Sequence, residues 1–267
     1  MDALELARMA AYGAVQGATE FLPVSSSGHV ALLALLQEDA ELSVGFVVLL
    51  HAATLLATVL VLRTELVALL ESVATGLRDP AAYLRTDEGR TVGGVVLATI
   101  PTAVIGLLLK DSLEAAGRLP WVLGLGLLGS AVACLSTRRG GGNGQSPTLL
   151  GALLIGLAQG AAVLPGLSRS GSTIAVAMLL GMSGPASFRF SFLLSLPAIL
   201  GATILTLRDP GTFSMDAGAW VAAALAFAVG WGALVWLRRL VHQGRFWVFA
   251  VYLVPVGVGL IVYGAFA

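Results

Sequence analysis

The chain is short of charge. Of its 267 residues only 15 are Lys or Arg and 15 are Asp or Glu, so the net charge is zero. Without a basic excess there is no electrostatic footprint for a phosphate backbone, and no nucleic-acid partner is expected. Cysteine is nearly absent too: Cys134 stands alone, which excludes an intrachain disulfide and leaves the redox compartment open. Met1–Val15 has neither the basic start nor the small-residue cleavage site of a secretory signal, so no cleaved segment is expected.

What is abundant is apolar. Hydrophobic residues make up 57% of the chain and the mean hydropathy is +0.92, more apolar surface than a soluble domain of this length can bury. The chain reads as an integral membrane protein. Hydrocarbon offers no partner to backbone amides, so a span is a helix of about 20 apolar residues. Six stretches qualify: Val44–Leu62, Thr91–Leu109, Trp121–Thr137, Phe188–Leu207, Trp220–Leu237 and Phe246–Phe266. Val67–Leu77, with Arg63, Glu65, Glu71 and Arg78 around it, reads as an amphipathic helix on the surface. "TRRGGGNGQSPT", Thr137–Thr148, reads as a linker.

Two further apolar regions are broken in the middle. Ala3–Leu36 is interrupted by "PVSSSGH" and Thr148–Leu180 by "PGLSRSGS". Irregular backbone at membrane depth is tolerated only where protein or a wet cavity surrounds it, so each region is expected to be a re-entrant helical hairpin. The two agree at a constant offset of 143: Gln16 with Gln159, Gly17 with Gly160, Ala18 with Ala161, Ser25 with Ser168, Ser27 with Ser170, Gly28 with Gly171. The next spans correspond as well, through "FVVLL" at Phe46 and "FSFLL" at Phe190.

The expected fold is therefore an all-α polytopic membrane protein. It is one membrane domain over 1–267, with a first repeat over 1–138, a linker over 139–147 and a second repeat over 148–267. Each half holds one re-entrant hairpin and three spans, and an odd number of crossings turns the second half upside down. Arg63, Arg78, Arg85, Arg90, Arg138, Arg139, Arg189, Arg238, Arg239 and Arg245 then share one side, against Arg8, Lys110, Arg118 and Arg208 on the other. The rule that basic loops stay inside makes the first side cytoplasmic and puts both termini outside.

Glu20 and Arg169 fall within the broken segments. A charge near the bilayer centre costs about 2.5 to 3.5 kcal/mol, so such residues ordinarily mark a site. Around them lie Gln16, Ser25, Ser26, Ser27, His29, Ser168, Ser170, Ser172 and Thr173, with glycine amides at Gly28, Gly166 and Gly171. An arginine fork, clustered hydroxyls and bare amides suit a phosphoryl group. Ser26 and His29 supply a nucleophile and a base, with His29 as nucleophile and Ser26 as a phosphate ligand the rival assignment, and Glu20 can orient the imidazole or hold a divalent cation. His51, in the apolar first span, is expected to make a local hydrogen bond. The constellation points to phosphoryl transfer on a lipid substrate. A secondary transporter or lipid flippase, which would also use inverted repeats and broken helices, is the alternative.

"QGATEFLPVSSSGH" and "PGLSRSGST" resemble the two signature motifs of the undecaprenyl-diphosphate phosphatases, also called bacitracin-resistance proteins. The likeness continues in "IPTAVIGLLLKD" (Ile100–Asp111) and "SFLLSLPAILGA" (Ser191–Ala202). It implies removal of the terminal phosphate of undecaprenyl diphosphate, which recycles the lipid carrier of the cell envelope. It also implies Glu20 as the motif acid, Ser26 as nucleophile with His29 as its partner, and Arg169 on phosphate beside Ser168, Ser170 and Thr173. A divalent cation, Mg2+ or Ca2+, is the implied cofactor, with Glu20 and Gln16 as ligands; Gln16 replaces the first carboxylate of the family's E-x-x-x-E pattern and brings an oxygen without charge. A polyprenyl diphosphate in the bilayer is the implied substrate, and a homodimer is an allowed assembly. The other lipid-phosphatase superfamily does not fit: its K-x6-R-P motif cannot be placed on the lone Lys110, and "SRSGSTIAV" has no histidine.

Overall fold

The computed structural model describes residues 2–37, 42–116, 119–206 and 216–266, and among these the protein is all helix. In chain order the elements are α1 (Ala3–Phe21), α2 (Ser26–Leu36), α3 (Val44–Val61), α4 (Arg63–Gly76), α5 (Pro80–Tyr83), α6 (Asp87–Ala116), α7 (Pro120–Ser136), α8 (Leu149–Ala161), α9 (Arg169–Leu179), α10 (Gly184–Thr206), α11 (Ala217–His242) and α12 (Ala250–Phe266). A 3-10 turn, Phe246–Phe249, leads into α12.

Five helices are long and apolar enough to cross a membrane: α3, α6, α10, α11, and α12 with its leading turn. These match five of the six expected spans. The sixth, expected over Trp121–Thr137, is α7 with 17 residues, and it belongs with the shorter apolar helices. Pro120 opens it, and it closes at Thr137, whose side chain bonds back to the Cys134 carbonyl. The expected surface helix is α4. It starts at Arg63, the first Lys, Arg, Asp or Glu after α3, and buries none of its residues. Leu207, Arg118, Arg208 and the Lys110 side chain, all used in the sequence reading, lie outside the described residues.

Both broken regions fold as a helix, a short break and a second helix: α1 and α2 in the first, α8 and α9 in the second. The breaks are shorter than expected. Ser26, Ser27, Gly28 and His29 form the first turn of α2, and Arg169, Ser170, Gly171, Ser172 and Thr173 open α9. Serines and glycines weaken a helix interior but suit its first turn, where hydroxyls satisfy free amides.

Packing brings the two broken regions together. Gly13 and Gly17 of α1 lie against the backbone of Ala222 and Ala226, so α1 runs alongside α11 in the same direction, and a Cβ at Gly17 would come 2.6 Å from the Ala226 carbonyl oxygen. The equivalents Gly156 and Gly160 of α8 lie against Ala98 and Ile105 of α6, again in the same direction. α12 packs on α7, and α3 on α10 and α11. The largest core cluster joins Phe21, Ile174, Phe188, Phe192 and Leu234 beneath the two breaks. The segment between the halves is pinned, since Gly141 and Gly142 donate to the Met178 and Met182 carbonyls.

Candidate active site

Leu22, which precedes Pro23, is extended and stops α1, as proline's clash with the preceding residue dictates. Ser25 then takes φ +68°, the only non-glycine residue with positive φ among those described. This turn sends α2 back with its first residues facing the end of α1. The second break is held from α7. Ser130 Oγ donates to the Gly166 carbonyl (3.2 Å) and accepts from the Ser168 amide (2.7 Å). Gly166 has φ +83° and lies against the Leu123 backbone, where no side chain fits. Ser168 caps α9 by accepting from the Gly171 amide at 3.1 Å.

Glu20 sits at the centre, 7% exposed. A buried carboxylate without partners would cost several kcal/mol, and both of its oxygens are engaged. Arg169 donates to Oε1. Oε2 accepts from Ser26 Oγ at 2.7 Å and from Gln16 Nε2 at 3.0 Å. The structure thus joins four sequence-predicted residues from three helices in one cluster. Two 11-residue helices, α2 and α9, begin at it, and their free amides and dipoles favour negative charge.

The remaining predicted residues fall into two groups. Ser25 Oγ lies 3.3 Å from Ser27 Oγ, and Ser168 Oγ lies 3.2 Å from Ser170 Oγ, so the same hydroxyl pair occurs in both copies of the motif. Ser27 is exposed, whereas Ser168, Ser170 and Thr173 are buried. Thr173 Oγ1 donates to the Arg169 carbonyl at 2.8 Å and also meets Ser191 Oγ. These buried hydroxyls fix the start of α9 and hence the base of Arg169. Gly28 and Gly171 are helical rather than in a loop. A Cβ at Gly28 would find ordinary contacts, and at Gly171 it would press on Pro23 at 3.2 Å, so bareness at Gly171 serves the packing of the two breaks.

The expected pairing of His29 with Ser26 is not made. A carbonyl only accepts, so His29 Nδ1 donates to the Ser25 carbonyl (2.9 Å), while Nε2 meets Tyr252 Oη at 2.6 Å. The Tyr252 ring stacks on the imidazole at 5.8 Å between centroids. Ser26 is instead bonded to Glu20. His51 makes the expected local bond, Nδ1 to the Val47 carbonyl at 2.9 Å, and its Nε2 lies 3.5 Å from Glu20 Oε2. Sequence reasoning missed Tyr252, Ser130 and Ser191, which come from α12, α7 and α10 and carry no local signal. For His51 the signal was present, an imidazole within an apolar span.

The donor set also tests the implied cation. Glu20 is one carboxylate already paired with an arginine, Gln16 turns its amide N–H toward it, and no group of three or more His, Cys, Asp or Glu gathers among the described residues. These residues do not fit a divalent cation held by protein groups alone, which requires more oxygen charge than one compensated carboxylate.

The family described as "Bacitracin resistance protein BacA" matches residues 9–259. Proteins named undecaprenyl-diphosphatase are similar over nearly the whole length. That of Desulfosudis oleivorans is 41% identical over 90% of this chain and 92% of its own. That of Korarchaeum cryptofilum is 34% identical over 97% and 99%, and that of Treponema denticola 36% identical over 94% of each. With both motifs converging on Glu20 and the match running from the first broken helix through α12, the chain belongs to the bacitracin resistance protein BacA family.

Proposed function

We propose that this protein is a membrane phosphatase that removes the terminal phosphate of undecaprenyl diphosphate, leaving the monophosphate carrier and inorganic phosphate. One observation carries the reading: a serine hydroxyl hydrogen-bonded to a buried carboxylate, beside an arginine, at two converging helix N-termini. The names of the relatives supply the substrate.

On binding, the terminal phosphate competes with Glu20 for Arg169, whose planar fork suits two phosphoryl oxygens. Glu20, relieved of its cation, is then free to take the Ser26 proton along the existing 2.7 Å bond. Ser26 Oγ bonds to the terminal phosphorus as the bridging P–O bond breaks and lipid monophosphate leaves. Water then displaces Ser26 from phosphorus, and the serine recovers its proton. His29, held by Ser25 and Tyr252, fixes the first turn of α2 and with it Ser26. A divalent cation, Mg2+ or Ca2+, would have to be held mainly by the diphosphate oxygens, with Glu20 and Gln16 as its protein groups, and would neutralise substrate charge.

The same reading makes each broken region a re-entrant hairpin and the two halves an inverted pair. At 1.5 Å per residue, 11- and 13-residue helices reach only ~16 to 20 Å, short of a ~30 Å hydrocarbon core. α8 has 13 residues, and α2 and α9 have 11 each. The matched packing of α1 on α11 and α8 on α6 supports the repeat. Arg238 pairs with Glu65 at 3.1 Å and Arg189 bonds the Gln145 carbonyl at 3.0 Å, which supports gathering the basic loops on one side, read as cytoplasmic.

Purified protein in detergent, given a C55 polyprenyl diphosphate, is expected to release inorganic phosphate. Ser26→Ala and Arg169→Lys are expected to lose at least about 100-fold in kcat/KM, the scale of losing a nucleophile or a bidentate clamp. Wild-type protein that binds the lipid and releases no phosphate would overturn the reading and favour transport.

A further inference from the structure

α12 is apolar almost throughout: between Ala250 and Phe266 only Tyr252 and Tyr263 have a polar side-chain atom. Tyr252 sets its ring against the His29 imidazole, with centroids 5.8 Å apart and planes 27° apart. Its Oη lies 2.6 Å from His29 Nε2. On the other edge of the imidazole, Nδ1 lies 2.9 Å from the Ser25 carbonyl. A carbonyl only accepts, so Nδ1 carries the hydrogen, and in the neutral ring Nε2 accepts the Tyr252 hydroxyl. His51 and His242 make the same bond one turn back, to the Val47 and Arg238 carbonyls. His29 adds a hydroxyl on the second nitrogen, so its ring is fixed from both edges.

We infer that Tyr252 is a positioning residue for the phosphatase reaction proposed above, an inference that rests on that reading: acting through His29, it holds the turn that aims Ser26 at Glu20. The hydroxyl selects the tautomer. With a donor on Nε2, the ring hydrogen belongs on Nδ1, where it bonds the Ser25 carbonyl. Without that donor the Nε2–H tautomer becomes available, and it sets the Nδ1 lone pair against the carbonyl oxygen, acceptor facing acceptor. The ring then turns away, and the Ser25 carbonyl keeps only the His29 amide, at 3.3 Å.

That carbonyl belongs to a strained turn. Ser25 has φ +68°, a conformation that persists only where neighbouring bonds over-determine it. Ser26 is the next residue, and its Oγ reaches Glu20 at 2.7 Å. Two hydrogen bonds thus join the first turn of α2 to other helices, Ser26 to Glu20 on α1 and His29 to Tyr252 on α12. A nucleophile misplaced by ~1 Å can lose about 100-fold in rate. The role needs no proton transfer by either ring.

The test combines phosphate release with nitrogen spectra of ring-15N-labelled histidine in mildly alkaline detergent solution. Tyr252→Phe keeps the ring and removes the hydroxyl. It is expected to lower kcat by about 5- to 30-fold with KM within threefold. In the wild type the His29 signals, identified by their loss in His29→Gln, are expected to show hydrogen on Nδ1 and none on Nε2. Tyr252→Phe is expected to move hydrogen toward Nε2, while the His51 and His242 signals stay in place and report an intact fold. A double-mutant cycle separates positioning from plain packing: in a His29→Gln background, Tyr252→Phe is expected to cost less than twofold further. Tyr252→Phe with kcat within twofold of wild type, an unmoved His29 tautomer, or an equal loss without His29 would each overturn the inference and leave the phosphatase reading intact. Failure of the wild type to release phosphate would instead overturn that reading, whatever the spectra show.

Discussion

Four side chains make the centre of the candidate site. Glu20 takes Arg169 on one oxygen, and Ser26 and Gln16 on the other. The pairing of acid and base was legible in the sequence, because few other charges lie within apolar stretches and each sits in one copy of a repeated motif. The partner of Ser26 was not. Spacing along a helix puts Ser26 and His29 on adjoining faces, but hydrogen bonds follow the strongest acceptor in reach, and Glu20 and Tyr252 are brought in by other elements. Ser25 is a separate case. Its φ of +68° is a conformation that costs ordinary residues ~1 to 2 kcal/mol. Thermal unfolding in detergent should find Ser25→Gly within about 1 kcal/mol of wild type, whereas Ser25→Val, β-branched at that φ, should lose about 2 kcal/mol or more.

At the scale of elements, the site depends on close helix contacts. Gly17 lets α1 reach α11, and this approach sets the depth at which Glu20, less than a turn further on, presents its carboxylate. Gly17→Leu should therefore destabilise by roughly 3 kcal/mol, at the upper end of what overpacking costs, and reduce phosphate release at the same time. Circular-dichroism melting and the activity assay, run on one preparation, check both. The existence of the broken helices was readable from hydroxyls, proline and glycine set within apolar runs. Where each break ends was not, because the residues that look loop-like are equally good first-turn residues once Ser168 caps α9. The length of α7 was legible, 17 residues expected over Trp121–Thr137 and 17 found over Pro120–Ser136, and its shortness is what sets it apart from the five longer apolar helices.

Across the whole molecule, hydropathy alone pointed to a membrane protein, and the constant offset of 143 paired the two motifs that meet at Glu20. What no one-dimensional pattern could give is the order of packing, α1 with α11 and α8 with α6. The proposed topology has a direct check. Ser27 is the exposed member of the first hydroxyl pair, while Cys134 is buried. Ser27→Cys in a Cys134→Ala background should react with a membrane-impermeant thiol reagent added outside intact cells, and substrate should protect it. Labelling only after the inner face is opened would reverse the orientation.

The contact between Glu20 and Arg169 joins the two broken regions, and the motifs they carry are not interchangeable. Where the first copy has Glu20 the second has Val163, and where the first has Ser26 the second has Arg169. The two motifs therefore bring different groups to the cluster, a carboxylate and a hydroxyl from one and a guanidinium from the other. Removing either motif would leave the other holding a buried charge without its counterion, so the two are bound to persist together.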